Sequence, residues 1–109
     1  MREMIDVRGV SGTVYRFTQF RDGRPLSAMG GNFVYVREAG EGYEILFAGQ
    51  TPNLLTGARM RWDEAAAGHG AAHLFTRLNI AELDRQREHA DIVEAIRPAM
   101  NPLVADQAI

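Results

Sequence analysis

The sequence predicts an α+β fold: a small, mostly antiparallel sheet of three to four strands flanked by helices. Two observations carry the sheet. Short runs of alternating β-branched and aromatic residues recur along the chain, and glycine-rich connections too short for a crossover helix join two of them. The third observation is a long helical pattern near the end of the chain, bounded by Pro98. At 109 residues the chain is expected to be a single domain, residues 1–109, with no internal repeat and no linker.

The first strand expected is Thr13 to Phe20, with Tyr15 and Phe17 on its buried face, and Arg21–Asp22–Gly23–Arg24–Pro25 ends it as a loop. Asn32 to Arg37 is the second, Phe33 and Tyr35 sharing one face and Val34 and Val36 the other. Ala39–Gly40–Glu41–Gly42 closes a hairpin onto a returning strand, Tyr43 to Ala48. Thr51 as N-cap with Pro52 at the first helical position predicts a short helix, weakened inside by Gly57. Asp63 caps a second brief helix over the alanines, stopped at Gly68 and Gly70.

Ala72 to Leu78 alternates as a further strand, with His73, Phe75 and Arg77 on one face and Leu74, Thr76 and Leu78 on the other. The clearest helix is Ile80 to Arg97. Asn79 with Glu82 reads as a capping box, and Ile92, Val93 and Ile96 form its apolar stripe. Glu88 groups with Asp84 and Asp91 on the solvent face, while His89 points to the core side. The stretch after Pro98 reads as an extended tail.

Composition narrows the chemistry. Hydrophobic residues make up 46% and charged residues 24%, the balance of an ordinary globular protein. Zero cysteines exclude disulfides, thiolate zinc sites and a cysteine nucleophile. The apolar runs are too short to span a membrane, and Met1–Arg2–Glu3–Met4 opens no signal-peptide core, so a cytoplasmic domain is expected. All 12 basic residues are arginine against 14 acids, a net charge of −2 that disfavours a globally basic nucleic-acid binder. Residues 1–61 hold eight arginines against six acids and residues 62–109 hold four against eight, which leaves room for a local cationic face.

From Gly31 to Asn101 the order of motifs resembles the GIY-YIG nuclease superfamily of metal-dependent phosphodiesterases. Gly31–Asn32–Phe33 stands like the family's Gly-Ile-Tyr, Phe47–Ala48–Gly49 like its Tyr-Ile-Gly, and Gln50–Thr51–Pro52–Asn53–Leu54 like its loop into the first helix. The strand around His69–Gly70–Ala71–Ala72–His73–Leu74–Phe75 and the closing Pro98–Ala99–Met100–Asn101, like Pro-x-x-Asn, complete the resemblance. It implies a three-stranded antiparallel sheet with packed helices, to which Thr13 to Phe20 adds a strand. It further implies two tyrosines that handle the proton of the attacking water, a helix arginine on the phosphate, and a glutamate holding a divalent cation.

Each of those positions departs here. The tyrosines fall on Phe33 and Phe47, and a benzyl ring can neither donate nor accept a proton. The arginine position is Gly57. Arg59 lies about 200° around a helix from it, whereas Arg61 is one turn on and faces the same way if the helix persists. The metal-binding glutamate falls on His89, and an imidazole suits zinc, manganese or nickel better than magnesium. The resemblance is therefore to a degenerate, non-catalytic member, with Tyr35 and Arg61 as possible substitutes and His89 as the candidate metal ligand.

Three function classes follow. The first is a non-catalytic binding module for DNA, RNA or a protein, with Arg37, Arg59 and Arg61 as its nucleic-acid contacts and no cofactor. The second is a metal-dependent endonuclease with a relocated centre built on Arg61 and His89. The third is a structural homodimer joined through the Thr13 to Phe20 strand, provided that strand lies at the sheet edge. His69 and His73, four apart, read as a loop and a strand histidine rather than a metal pair, because Gly68 and Gly70 break the helix such a pair needs. Trp62 reads as a packing group, with base stacking as the alternative.

Overall fold

A computed structural model describes residues 3–21 and 23–101. Five strands form one antiparallel sheet: β1 (Met4–Arg8), β2 (Val14–Gln19), β3 (Gly31–Ala39), β4 (Gly42–Thr51) and β5 (His73–Leu78), in the order β1-β2-β5-β3-β4. Two hairpins, β1–β2 and β3–β4, are thus bridged by a strand that arrives later in the chain. The helices are α1 (Leu54–Gly57), α2 (Trp62–His69) and α3 (Glu82–Ile96).

The α+β class and the antiparallel sheet agree with the sequence reading, but the strand count is five rather than three to four. The missed strand is β1. It alternates Ile5 and Val7, both buried, with exposed Asp6 and Arg8, and five residues are too few for the pattern to stand out. Its presence removes the expected dimer seam, because β2 lies between β1 and β5 and is no edge.

Alternation sorts β3 onto two cores. Phe33 and Tyr35 face a cluster with Leu46 of β4, Leu74 of β5, and Leu54, Ala58 and Ala65 from α1, its C-cap and α2. Val34 and Val36 face the opposite cluster, with Ile5, Val7, Phe17, Phe75 and Ile92 of α3. The β3–β4 hairpin turns at Gly40, whose φ of 60° favours glycine. Register shifts between Tyr35 and Val36, which pair with Phe47 and Ile45, so Leu46 is an unopposed bulge residue. The bulge lets both Leu46 and Phe47 pack on the α1–α2 side.

Several helix boundaries differ from expectation for reasons of hydrogen bonding. Thr51 stays in β4, and Asn53 is the cap of α1, its Oδ1 accepting from Thr56 N at 3.3 Å. Arg61, not Asp63, precedes α2, which continues through Gly68 and ends at Gly70 in the left-handed region, φ 76°. Asn79 caps nothing. Helix α3 starts at Glu82 behind Ala81, and the Asn79 amide turns inward to Asn32 Oδ1 at 3.1 Å. The buried stripe of α3 runs through Arg85, Glu88 and Ile92, and Ile96 is 40% exposed, so Glu88 does not join Asp84 in solvent. The stretch after Pro98 is a turn, with Asn101 N donating to Pro98 O at 3.0 Å and Met100 buried.

Candidate functional site

A cleft of about 390 Å³ opens over the ends of β3 and β4, between the α1–α2 connection and α3. Six positions picked out in the sequence line it: Phe33, Tyr35, Phe47, Gly57, Arg61 and His89. They come from β3, β4, both sides of the α1–α2 connection, and α3. Arg37 and Arg59 do not join them. Arg37 pairs with Glu44 across the β3–β4 ladder at 2.6 Å, and the Arg59 guanidinium lies 5.5 Å from the Phe20 ring centre. Of the three expected nucleic-acid contacts, only Arg61 is at the cleft.

The floor is aromatic. The Phe33 and Phe47 rings lie 5.9 Å apart, and Tyr35 sits 5.6 Å from the first and 5.3 Å from the second. Trp62 meets Tyr35 edge-on at 5.2 Å, the packing role expected of it. The Tyr35 hydroxyl donates to Ala58 O at 2.8 Å and accepts from Arg61 N at 3.2 Å, tying β3 to the α1–α2 connection. Burial raises its pKa above the ordinary phenol value. A proton so committed makes Tyr35 a brace, and gives it no replacement role for the hydroxyls missing at positions 33 and 47.

Two glycines shape the walls. A Cβ at Gly49 would stand 2.2 Å from Cζ of Phe33, so the ring fills the space a side chain would need. At Gly57 a Cβ would meet Thr51 Oγ1 at 2.1 Å, and that oxygen already accepts from Asn53 N at 3.2 Å and donates to Asn53 O at 3.1 Å. No arginine fits at position 57 as the chain is folded. The helix does not persist past it either. Arg61 reaches the cleft because the chain turns between α1 and α2, with Met60 N donating to Gly57 O at 3.3 Å.

Arg61 is anchored on three sides. Its guanidinium lies 5.0 Å from the Phe47 ring centre, grips Glu64 through Nε at 3.0 Å and Nη2 at 2.7 Å, and donates from Nη1 to Met100 O at 3.3 Å. The Arg61 hydrogen bond holds the Glu64 carboxyl below its usual range. The cation at the cleft is therefore largely neutralised by a carboxylate of its own helix region.

His89 is half-buried, and desolvation lowers its pKa below the ordinary histidine value, so the ring is neutral at pH 7. Its Nδ1 is enclosed without a partner among the described residues. Among those residues no three His, Asp or Glu side chains come together in a way that could hold a metal ion. A lone neutral imidazole with an arginine on the same cleft does not fit the carboxylate-held cation that the resemblance implies. His69 ends α2, and His73 opens β5 with Nδ1 3.0 Å from Gln19 Nε2, so the two are not one pair.

Three cleft residues went unnoticed in the sequence as site groups. Gln50 lines the cleft while its Oε1 accepts from Arg85 Nε at 2.9 Å. Asn101 clamps β4, accepting from Ala48 N at 2.9 Å and donating to Ala48 O at 2.8 Å. Met60, 80% exposed, stands at the rim. Gln50 and Asn101 belonged to quoted motifs, whereas nothing in local pattern distinguishes Met60. No family model, curated protein or solved structure matches the chain, and no helix among the described residues is long and apolar enough to cross a membrane.

Proposed function

We propose that the protein is a non-catalytic binding domain of GIY-YIG-like build whose cleft engages nucleic acid. The observation that carries this reading is the convergence of Phe33, Phe47, Gly57, His89 and Asn101, distant in sequence, on one cleft where, among the described residues, His89 has no carboxylate or second histidine beside it to complete a metal site. A guanidinium stacked on an aromatic ring, as Arg61 is on Phe47, offers planar surface of the kind on which unpaired bases stack. With Arg61 paired to Glu64, phosphate attraction is weak, and single-stranded ends and loops suit the cleft better than a duplex backbone.

The test is a band-shift and cleavage panel on single-stranded, duplex and branched DNA and RNA with magnesium, manganese or zinc. Binding of unpaired strands without cleavage, weakened in Arg61→Ala, supports the reading. Metal-dependent nicking that disappears in His89→Ala overturns it in favour of an endonuclease with an altered centre. The exposed Met60 at the rim favours a second reading, an apolar protein segment in the same cleft. Absence of nucleic-acid binding together with peptide capture lost in Met60→Ser would support that one.

A further inference from the structure

The two edges of the sheet are finished differently. On β4, Asn101 occupies both backbone groups of Ala48 and Met100 N donates to Leu46 O at 2.9 Å, so the turn after α3 takes the place of a neighbouring strand. On β1, Gln19 N donates to Glu3 O at 2.7 Å and Gly9 N to Thr13 O at 2.9 Å. With Ile5 opposite Phe17 and Val7 opposite Tyr15, the odd-numbered residues turn their backbone groups towards β2. The backbone N–H and C=O of Met4, Asp6 and Arg8 point outward, and no partner for them exists among the described residues. Val10, next along, is closed off by α3, its N–H donating to Asp91 O at 3.1 Å.

We propose that this free edge pairs with the same edge of a second copy, joining two sheets through antiparallel β1 strands about a two-fold axis. The side chains choose the register. With the axis at Asp6, two carboxylates face each other, which opposes pairing. With the axis at Val7, Asp6 lies opposite Arg8 of the second copy and Arg8 opposite its Asp6, and both residues exchange backbone hydrogen bonds. The outward residues then pair attractively on both sides of the axis, each Asp6 carboxylate lying between that Arg8 and Arg16 of its own β2, whose Nε is 2.9 Å away. The same two charges make the edge a poor template for an uncharged strand, so a second copy fits it better than an arbitrary chain. This inference is independent of the cleft.

Light scattering on the full chain from micromolar to millimolar concentration should show mass rising towards twice 12.1 kDa. Arg8→Pro removes an outward N–H and leaves the ladder to β2 intact, so it should give a monomer whose melting temperature matches that of the unsubstituted chain at dilutions where that chain is itself monomeric. Should that variant not fold, charge reversal decides. Asp6→Arg made together with Arg16→Asp, which keeps the ion pair within the hairpin, and Arg8→Asp alone should each weaken the dimer about tenfold, and all three together should restore it, because opposite charges again face each other. A chain that stays monomeric throughout overturns the proposal. So does a dimer indifferent to Arg8→Pro, or reversals that the combined variant does not rescue.

Discussion

Glu88 and His89 are neighbours on α3, yet they look into regions built on different terms. Glu88 enters a buried polar network through Oε1, while its Oε2 is enclosed without a partner among the described residues. Its Oε1 accepts from Arg77 Nε at 3.0 Å and Asn79 Nδ2 at 3.4 Å. Asn79 in turn reaches Asn32, and Asn32 donates to Arg85 O at 3.1 Å. Arg85, buried, adds hydrogen bonds to Gln50 Oε1, Asn79 O and Ile80 O. His89 looks towards the cleft, where aromatic rings supply the packing and the imidazole Nδ1 has no partner among the described residues. One region spends its polar groups on itself and fixes α3 to the sheet. The other presents an aromatic floor of Phe33, Tyr35 and Phe47 with Met60 exposed at its rim, as a binding surface requires.

The largest way to break this contrast is on the closed side. Arg85→Ala orphans the Gln50 side chain and the carbonyls of Asn79 and Ile80, and should lower unfolding free energy by about 3 kcal/mol in urea with the slope unchanged. Next is Gly57→Ala, where the new methyl meets Thr51 and should cost about 2 kcal/mol and distort the cleft. Restoring arginine at position 57 should therefore yield a destabilised protein with no gained cleavage activity. Tyr35→Phe removes the bridge between Ala58 and Arg61 and should cost about 1 kcal/mol, read as a lowered melting temperature.

The smallest effects are pH effects, and their signs oppose. Burial pushes the Glu88 carboxyl up despite the Arg77 contact, with Asp84 adding to the rise. Its contribution to stability is present below about 4.5 and lost as pH rises towards the folded value. His89 is pushed down by burial, so its contribution is present above about 6.5 and lost as pH falls through the folded value. Melting temperatures from pH 4 to 8 should therefore flatten at the acid end in His89→Gln. In Glu88→Gln the decline from pH 4.5 upward should vanish. A shared sign in the two variants would mean that the regions are not as different as their geometry indicates.

Much of this fold is legible in the sequence because strand alternation survives context. Phe33 and Tyr35 against Val34 and Val36, or His73 and Phe75 against Leu74, divide as a period of two demands. Helix ends are less legible, since Asn53 and Thr51 offer similar oxygens and only tertiary position decides which one caps. On α3 polarity misleads. Arg85, Glu88 and Ile92 have helical spacing, but charged residues are assigned to solvent unless a partner network is known. The site positions are legible as motif order, while the pairing of Arg61 with Glu64, three residues on, is written in plain helical spacing.

The Asn101 clamp also has a history during synthesis. Asn101 stands 53 residues after Ala48, the residue whose backbone it occupies. At translation rates of about 5–20 residues per second, that separation corresponds to roughly 3–10 s. Through that interval β4 is made but its outer edge is bare, as are the cleft's β4 wall and the backbone at Leu46. The β4 edge of the nascent chain thus stays open to wrong strand partners until Asn101 is made, and a ribosome stalled in α3 would hold it open.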